Sequence, residues 1–119
     1  MLSKEYRLNK KTAFTATYRI KHSFYLNGVA VFAGLKKTNP EEYTKVGFVV
    51  SKKTHKRAVR RNRLKRLIRE SYRLFLKTGN VKNVSCYKSL IFVGHEKALN
   101  LNFLQIQETV KQLLEQIDA

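Results

Sequence analysis

Hydrophobic positions recur along the chain with two different spacings, and the switches between them mark its elements. Val29, Val31, Ala33 and Leu35 alternate with Ala30, Phe32 and Gly34, the period-two pattern of a strand whose two rows point to opposite faces. Ser23–Leu26 reads as a strand just before it, and Lys45–Val50, carrying Val46, Gly47, Phe48 and Val49, as a strongly apolar third strand. A polar loop, Lys36–Thr44 with Asn39-Pro40 inside it, separates the two. Tyr87–Val93 predicts a fourth strand. Helical spacing marks three further segments. Asn9 suits the cap of a first helix running to about Arg19, with Ala13, Phe14, Ala16 and Tyr18 on it. A long helix is predicted from about Ala58 to Lys77, stopped by Gly79-Asn80. Phe103, Ile106, Val110, Leu113, Leu114 and Ile117 recur on a last helix that starts near Asn102.

The predicted order is therefore αβββαβα. A helix separates two strands only once, which argues against a doubly wound parallel fold and for an α+β sandwich, a four-stranded sheet with helices packed on it. No linker, repeat or low-complexity segment interrupts the 119 residues, so 1–119 reads as a single domain. That length buries a sizeable core without disulfides or metals.

Charge changes the picture most. Twenty-five Lys and Arg against eight Asp and Glu leave a net +17 on the chain, while 43% of the residues are hydrophobic, an ordinary share for a globular protein. Self-repulsion of that size opposes compaction, and a polyanionic partner offsets it; nucleic acid and anionic membrane are the two candidates. No run of eighteen apolar residues is present to cross a bilayer. The opening residues Met1 to Arg7 begin no apolar run, as expected of a chain without a signal peptide, and the lone Cys86 suits a reducing compartment. The expected location is the cytoplasm.

The cations are concentrated. Ser51–Arg73 holds eleven of the 25 Lys and Arg residues and a single acid, Glu70. On the predicted helix, Leu64, Leu67, Ile68, Ser71, Leu74 and Phe75 form an apolar arc that should face the sheet. Arg61, Lys65, Arg69 and Arg73 form an i, i+4 ridge expected on the opposite side, flanked by Asn62 and Arg66. A merely solvated face usually mixes signs, with Glu paired to Lys; an unbroken cationic ridge costs a few tenths of a kcal/mol per pair. Clustered Arg is a fork-shaped donor for phosphates and bases, so the ridge favours nucleic acid. A membrane-bound helix would have to offer lipid the apolar face that the core needs.

No helix-turn-helix or zipper pattern points to a DNA groove. Aromatics beside a basic surface point instead to single-stranded RNA, whose unpaired bases stack on exposed rings. Phe14 and Tyr18 lie one turn apart on the first helix, and Phe32 shares its strand face with the small residues Ala30 and Gly34, a suitable floor for a shallow cleft. Either Phe14 or Phe32 alone is more simply read as core.

The run Arg61-Asn62-Arg63-Leu64-Lys65-Arg66-Leu67-Ile68-Arg69, preceded by Val50-Ser51-Lys52-Lys53 and Ala58-Val59, resembles the signature of the protein subunit of bacterial ribonuclease P. The likeness extends over most of the chain, through Arg7-Leu8, Phe14, Tyr18, Phe32, the strand Val46–Val50 and the closing amphipathic helix. The resemblance implies an αβββαβα two-layer sandwich with a left-handed βαβ crossover, the fold of the second domain of ribosomal protein S5. It implies that Lys52, Lys53, Arg61, Asn62, Arg63, Lys65, Arg66, Arg69 and Arg73 serve binding of the catalytic RNA. It implies equally that Phe14, Tyr18 and Phe32 match a cleft for the single-stranded 5′ leader of precursor tRNA. In the resembled enzyme the RNA subunit, paired 1:1 with the protein, hydrolyses precursor tRNA with bound Mg2+, and the protein carries no cofactor and no catalytic residue. This chain departs from some relatives at Thr54-His55-Lys56-Arg57, which has no glycine where they have one.

The remaining chemistry is consistent with that division. His22, His55, His95 and Cys86 lack metal-ligand spacing, and no Gly-rich phosphate loop or nucleophile motif is present. A protein nuclease would need a base or metal at its cationic groove. Two other classes share the charge: a ribosomal or ribonucleoprotein-assembly protein, which needs no leader cleft, and a stand-alone ribonuclease, which needs no RNA partner.

Overall fold

The computed structural model describes residues 8, 15, 17–19, 22–34, 44–50, 57–77, 87 and 89–118. Four strands, β1 (His22–Leu26), β2 (Val29–Ala33), β3 (Lys45–Val50) and β4 (Ser89–Gly94), form one sheet in the order β1-β2-β4-β3. β2 pairs antiparallel with β1 and β4, whereas β3 and β4 run parallel. A parallel pair needs a crossover, and the basic helix Ala58–Lys77 supplies it. A short 3-10 helix, Glu96–Asn100, precedes the C-terminal helix Phe103–Asp118. Residues 15 and 17–19 are helical, on the predicted first helix; its other positions, Asn9, Ala13, Phe14 and Ala16, lie outside the described residues. So do Gly79-Asn80, Cys86, Leu35 and most of the loop at 36–44. The class is α+β, as the pattern predicts.

The strand alternation separates two faces. Val29, Val31 and Ala33 of β2, Val46 and Val50 of β3, and Leu90 and Phe92 of β4 point to one face and are buried there. The basic helix covers it with Leu64, Ile68, Tyr72 and Phe75, and the C-terminal helix with Ile106, Val110, Leu113, Leu114 and Ile117. Full burial of each such side chain is worth about 1.5–3 kcal/mol. The N-terminal helical segment touches the other face: Thr17 Oγ1 lies 2.5 Å from Ser89 Oγ of β4.

Two glycines set close approaches. Asn27 and Gly28 both have positive φ, 50° and 88°, which closes the β1–β2 hairpin in two residues. A Cβ on Gly28 would sit 2.5 Å from the Ala98 backbone nitrogen, so the turn and the 3-10 helix meet backbone to backbone. At Gly94 a Cβ would lie 2.7 Å from Leu64 Cδ2, and its absence lets the basic helix settle onto β4.

The basic helix starts and ends where the pattern predicts, but its buried stripe differs in two positions. Tyr72 is 1% exposed, against Phe48 and Phe92 with ring centroids 6.2 and 5.5 Å away. Leu74, expected in the apolar arc, is exposed, and Leu67 is half-buried. Tyr72 lies one i, i+4 step from Ile68, toward β3, where it meets the Phe48 ring. Leu74 falls on the far edge of the arc. β4 begins two residues later than predicted, with Tyr87 a lone bridge whose carbonyl accepts a bond from Thr44 Oγ1 at 2.8 Å. β2 ends at Ala33, although Gly34 N–H still donates to Ser89 O at 2.9 Å.

Candidate nucleic-acid interface

The basic helix has no acid in its first turn. Arg57, Ala58, Val59 and Arg60 there are exposed, so the helix presents its partial positive end together with arginines. The i, i+4 ridge does not stand opposite the core as the pattern predicts. Arg61, Lys65, Arg69 and Arg73 are all half-buried, while Asn62 and Arg66 are the exposed pair between them. The reason is geometric: each step of four residues rotates about 40° around the helix, so the row starts beside the apolar stripe at Arg61 and winds outward. Its early members flank Tyr72, on the β3 side.

The cations also differ in what holds them. Arg63 Nη1 donates to Leu99 O at 3.5 Å and Arg60 Nη2 to Asn100 Oδ1 at 3.4 Å, tying the opposite flank of the helix to the 3-10 helix. Arg73 pairs with Glu70 at 3.6 Å, which neutralises the end of the row. Arg69 Nε is buried without a hydrogen-bond partner, an unmade bond that a ligand oxygen could complete only by reaching the flank. Lys52 and Lys53 lie outside the described residues, as do Thr54, His55 and Lys56.

The second surface is the sheet face turned away from the basic helix. Register places Phe32 beside Ile91, and Ile91 beside Gly47, while Ala30, Val93 and Val49 form the next row. The ring of Tyr18 meets Phe32 edge to face, centroids 4.9 Å apart and planes at 78°. Tyr18 is 37% exposed and Phe32 half-buried, so the pair forms a rim and floor rather than a sealed core. Burial raises the Tyr18 phenol above its ordinary pKa. Phe14, the third aromatic of the expected cleft, lies outside the described residues. Sequence reasoning missed the Thr17–Ser89 contact that seats Tyr18, because a hydroxyl pair 72 positions apart leaves no local signal.

Among the described residues no group of three or more His, Cys, Asp or Glu is placed to hold a metal ion, and no helix is long and apolar enough to cross a membrane. What the arrangement offers is a cationic helix on one side of the sheet and an uncharged aromatic recess on the other.

Comparison with known proteins identifies the family. The chain matches the Ribonuclease P family over residues 2–118. The ribonuclease P protein component of Clostridium novyi is 35% identical over 113 residues, spanning 95% of this chain and 94% of that one. The same component of Clostridioides difficile is 32% identical over 93% of this chain and 90% of its own length. Among solved structures, the Staphylococcus aureus RNase P protein superposes with a TM-score of 0.73 at 28% identity, covering 94% of both chains. The RNase P protein from Thermotoga maritima shares the fold, with a TM-score of 0.76 over 95% of this chain and 98% of that one. The chain belongs to the ribonuclease P protein family and is the protein component of that endoribonuclease.

Proposed function

We propose that the two faces of the sheet divide the work of tRNA 5′ maturation. The basic helix binds the catalytic RNA, through the exposed Asn62 and Arg66 and the half-buried Arg61, Lys65 and Arg69 beside them. Arg63 and Arg73 contribute charge while held by Leu99 and Glu70. Lys52 and Lys53, which follow Val50 and Ser51 in sequence, add to the charge that binds this RNA. The recess of Tyr18 and Phe32, together with Phe14, takes the single-stranded 5′ leader of precursor tRNA by stacking.

One observation carries this reading: Tyr18 and Phe32, distant in sequence, are brought into ring contact on the face opposite the basic helix. A ribosomal or assembly protein has the same use for a cationic helix but none for a half-open aromatic pair on the far side. Mg2+, held mainly by the RNA subunit, supplies the hydrolytic chemistry, and the protein adds binding energy and charge neutralisation. The partnership is one protein to one RNA subunit, in the cytoplasm. The test is reconstitution. Added to a bacterial ribonuclease P RNA at low magnesium, the purified protein should restore cleavage of precursor tRNA at the leader junction. No stimulation over RNA alone would contradict the proposal.

A further inference from the structure

The open sheet face holds a second aromatic pair that the leader recess does not use. Tyr25 of β1 is 57% exposed, and the exposed His95, just after β4, leans on it with ring centroids 5.8 Å apart and planes at 57°. The strand alternation that turns Phe24 and Leu26 toward the core turns Tyr25 to the face that carries Phe32. Tyr25 stands opposite Ala30, and Ser23 stands opposite Phe32. The four positions form a block with large rings on one diagonal and small side chains on the other. Diagonal neighbours of this kind lie about 7–8 Å apart, a separation that long or planar groups can bridge. The platform is anchored: His95 N–H donates to Gly28 O at 2.8 Å, and Gly28 closes the turn that follows Tyr25.

We infer that Tyr25 and His95 form a second stacking platform for single-stranded RNA, receiving a different leader base from the one held at Tyr18 and Phe32. The inference rests on the leader-binding reading of that first pair. An exposed tyrosine backed by a second ring, continuous with an aromatic recess on the same face, fits an unpaired base. An exposed ring retains its π-face for the ligand, and no sequence preference is implied. His95 restricts the Tyr25 ring from behind, so less freedom is lost when a base settles on it.

The test uses the reconstituted holoenzyme and precursor tRNAs in which single abasic sites are walked along the leader. Tyr25→Ala should weaken precursor binding about tenfold, the scale of one lost base stack, with mature tRNA binding and melting temperature unchanged. Tyr25→Phe keeps the ring and should bind as the parent does, and His95→Ala should give a smaller loss than Tyr25→Ala. The loss from Tyr25→Ala should vanish at one abasic position, distinct from the position that abolishes the effect of Phe32→Ala. Unchanged binding by Tyr25→Ala while Phe32→Ala is impaired would overturn the second platform and leave the first standing. Equal losses for precursor and mature tRNA, coupling of both variants to the same base, or a collapsed melting temperature would overturn it as well. If neither variant discriminates precursor from mature tRNA, the leader-binding reading falls, and the platform with it.

Discussion

The Thr17 and Ser89 hydroxyls lie 2.5 Å apart, joining the N-terminal helical segment to β4 across 72 positions of sequence. Thr17 is buried, so the bond replaces water that can no longer reach it. The next residue along is Tyr18, whose ring this contact holds against Phe32. The space for the hydroxyl pair comes from Gly34, where a Cβ would overlap Ser89 Oγ. Gly34→Ala should therefore push the Ser89 hydroxyl aside and break its bond to Thr17, destabilising the fold by about 1–3 kcal/mol. Denaturant unfolding checks this; Gly34→Ala as stable as the parent would show that the bond is dispensable. Ser89→Ala should reduce leader discrimination more than it reduces binding of the RNA subunit, because only the Tyr18 side depends on it.

The helix that carries the cations is held by a ring it does not display. Tyr72→Ala removes a buried aromatic packed against the stacked rings of Phe48 and Phe92 and should cost about 3–5 kcal/mol of stability. Arg66→Ala, on the exposed side of the same helix, should change stability by about 0.5 kcal/mol or less while weakening RNA binding. Melting temperature and RNA affinity measured on both variants separate support from contact.

Salt reports the phosphate contacts directly. If the helix neutralises roughly five phosphates, log affinity for the RNA subunit should fall against log salt with a slope of roughly −3.5 to −4.5. Ala replacement of Lys65, Arg66 or Arg69 should each reduce that slope by about one contact. Arg73→Ala should change it less, because Glu70 already pairs with Arg73. A slope near zero would place RNA elsewhere on the protein.

The protein alone should not cleave. Incubated with precursor tRNA and magnesium in the absence of the RNA subunit, it should leave the substrate intact. Cleavage that follows the protein through purification, and persists after any contaminating RNA is digested, would assign the hydrolysis to this chain.

Elements with a strong local signature were legible in the sequence. β3 at Lys45–Val50 and the helix at Ala58–Lys77 start and stop at the predicted residues. The C-terminal helix starts after Asn102, whose side chain accepts from Gln105 N–H at 2.8 Å while Gln105 Oε1 accepts from Asn102 N–H at 2.9 Å. The 3-10 helix at Glu96–Asn100 was not legible, because a five-residue helix is too short to show a hydrophobic period. The cations were legible as a group but not in their orientation. An i, i+4 row drifts around the helix, so spacing alone did not tell half-buried Arg61 from exposed Arg66. Tyr18 and Phe32 were legible as candidates from residue type, yet each alone read as core. Their partnership depends on Gly34, Thr17 and Ser89, which only the tertiary fold brings together.

The central claim, that the face opposite the basic helix holds the leader, is tested most directly with Phe32→Ala in the assembled enzyme. Affinity for precursor tRNA and for mature tRNA, which lacks the leader, is measured side by side with the melting temperature. Loss of one stacked base is worth about 1–3 kcal/mol. Precursor binding should weaken roughly five- to 150-fold on that scale, with no change for mature tRNA and a holoenzyme that still assembles. Equal loss for both RNAs, or a melting temperature lowered as for a buried core ring, would contradict it.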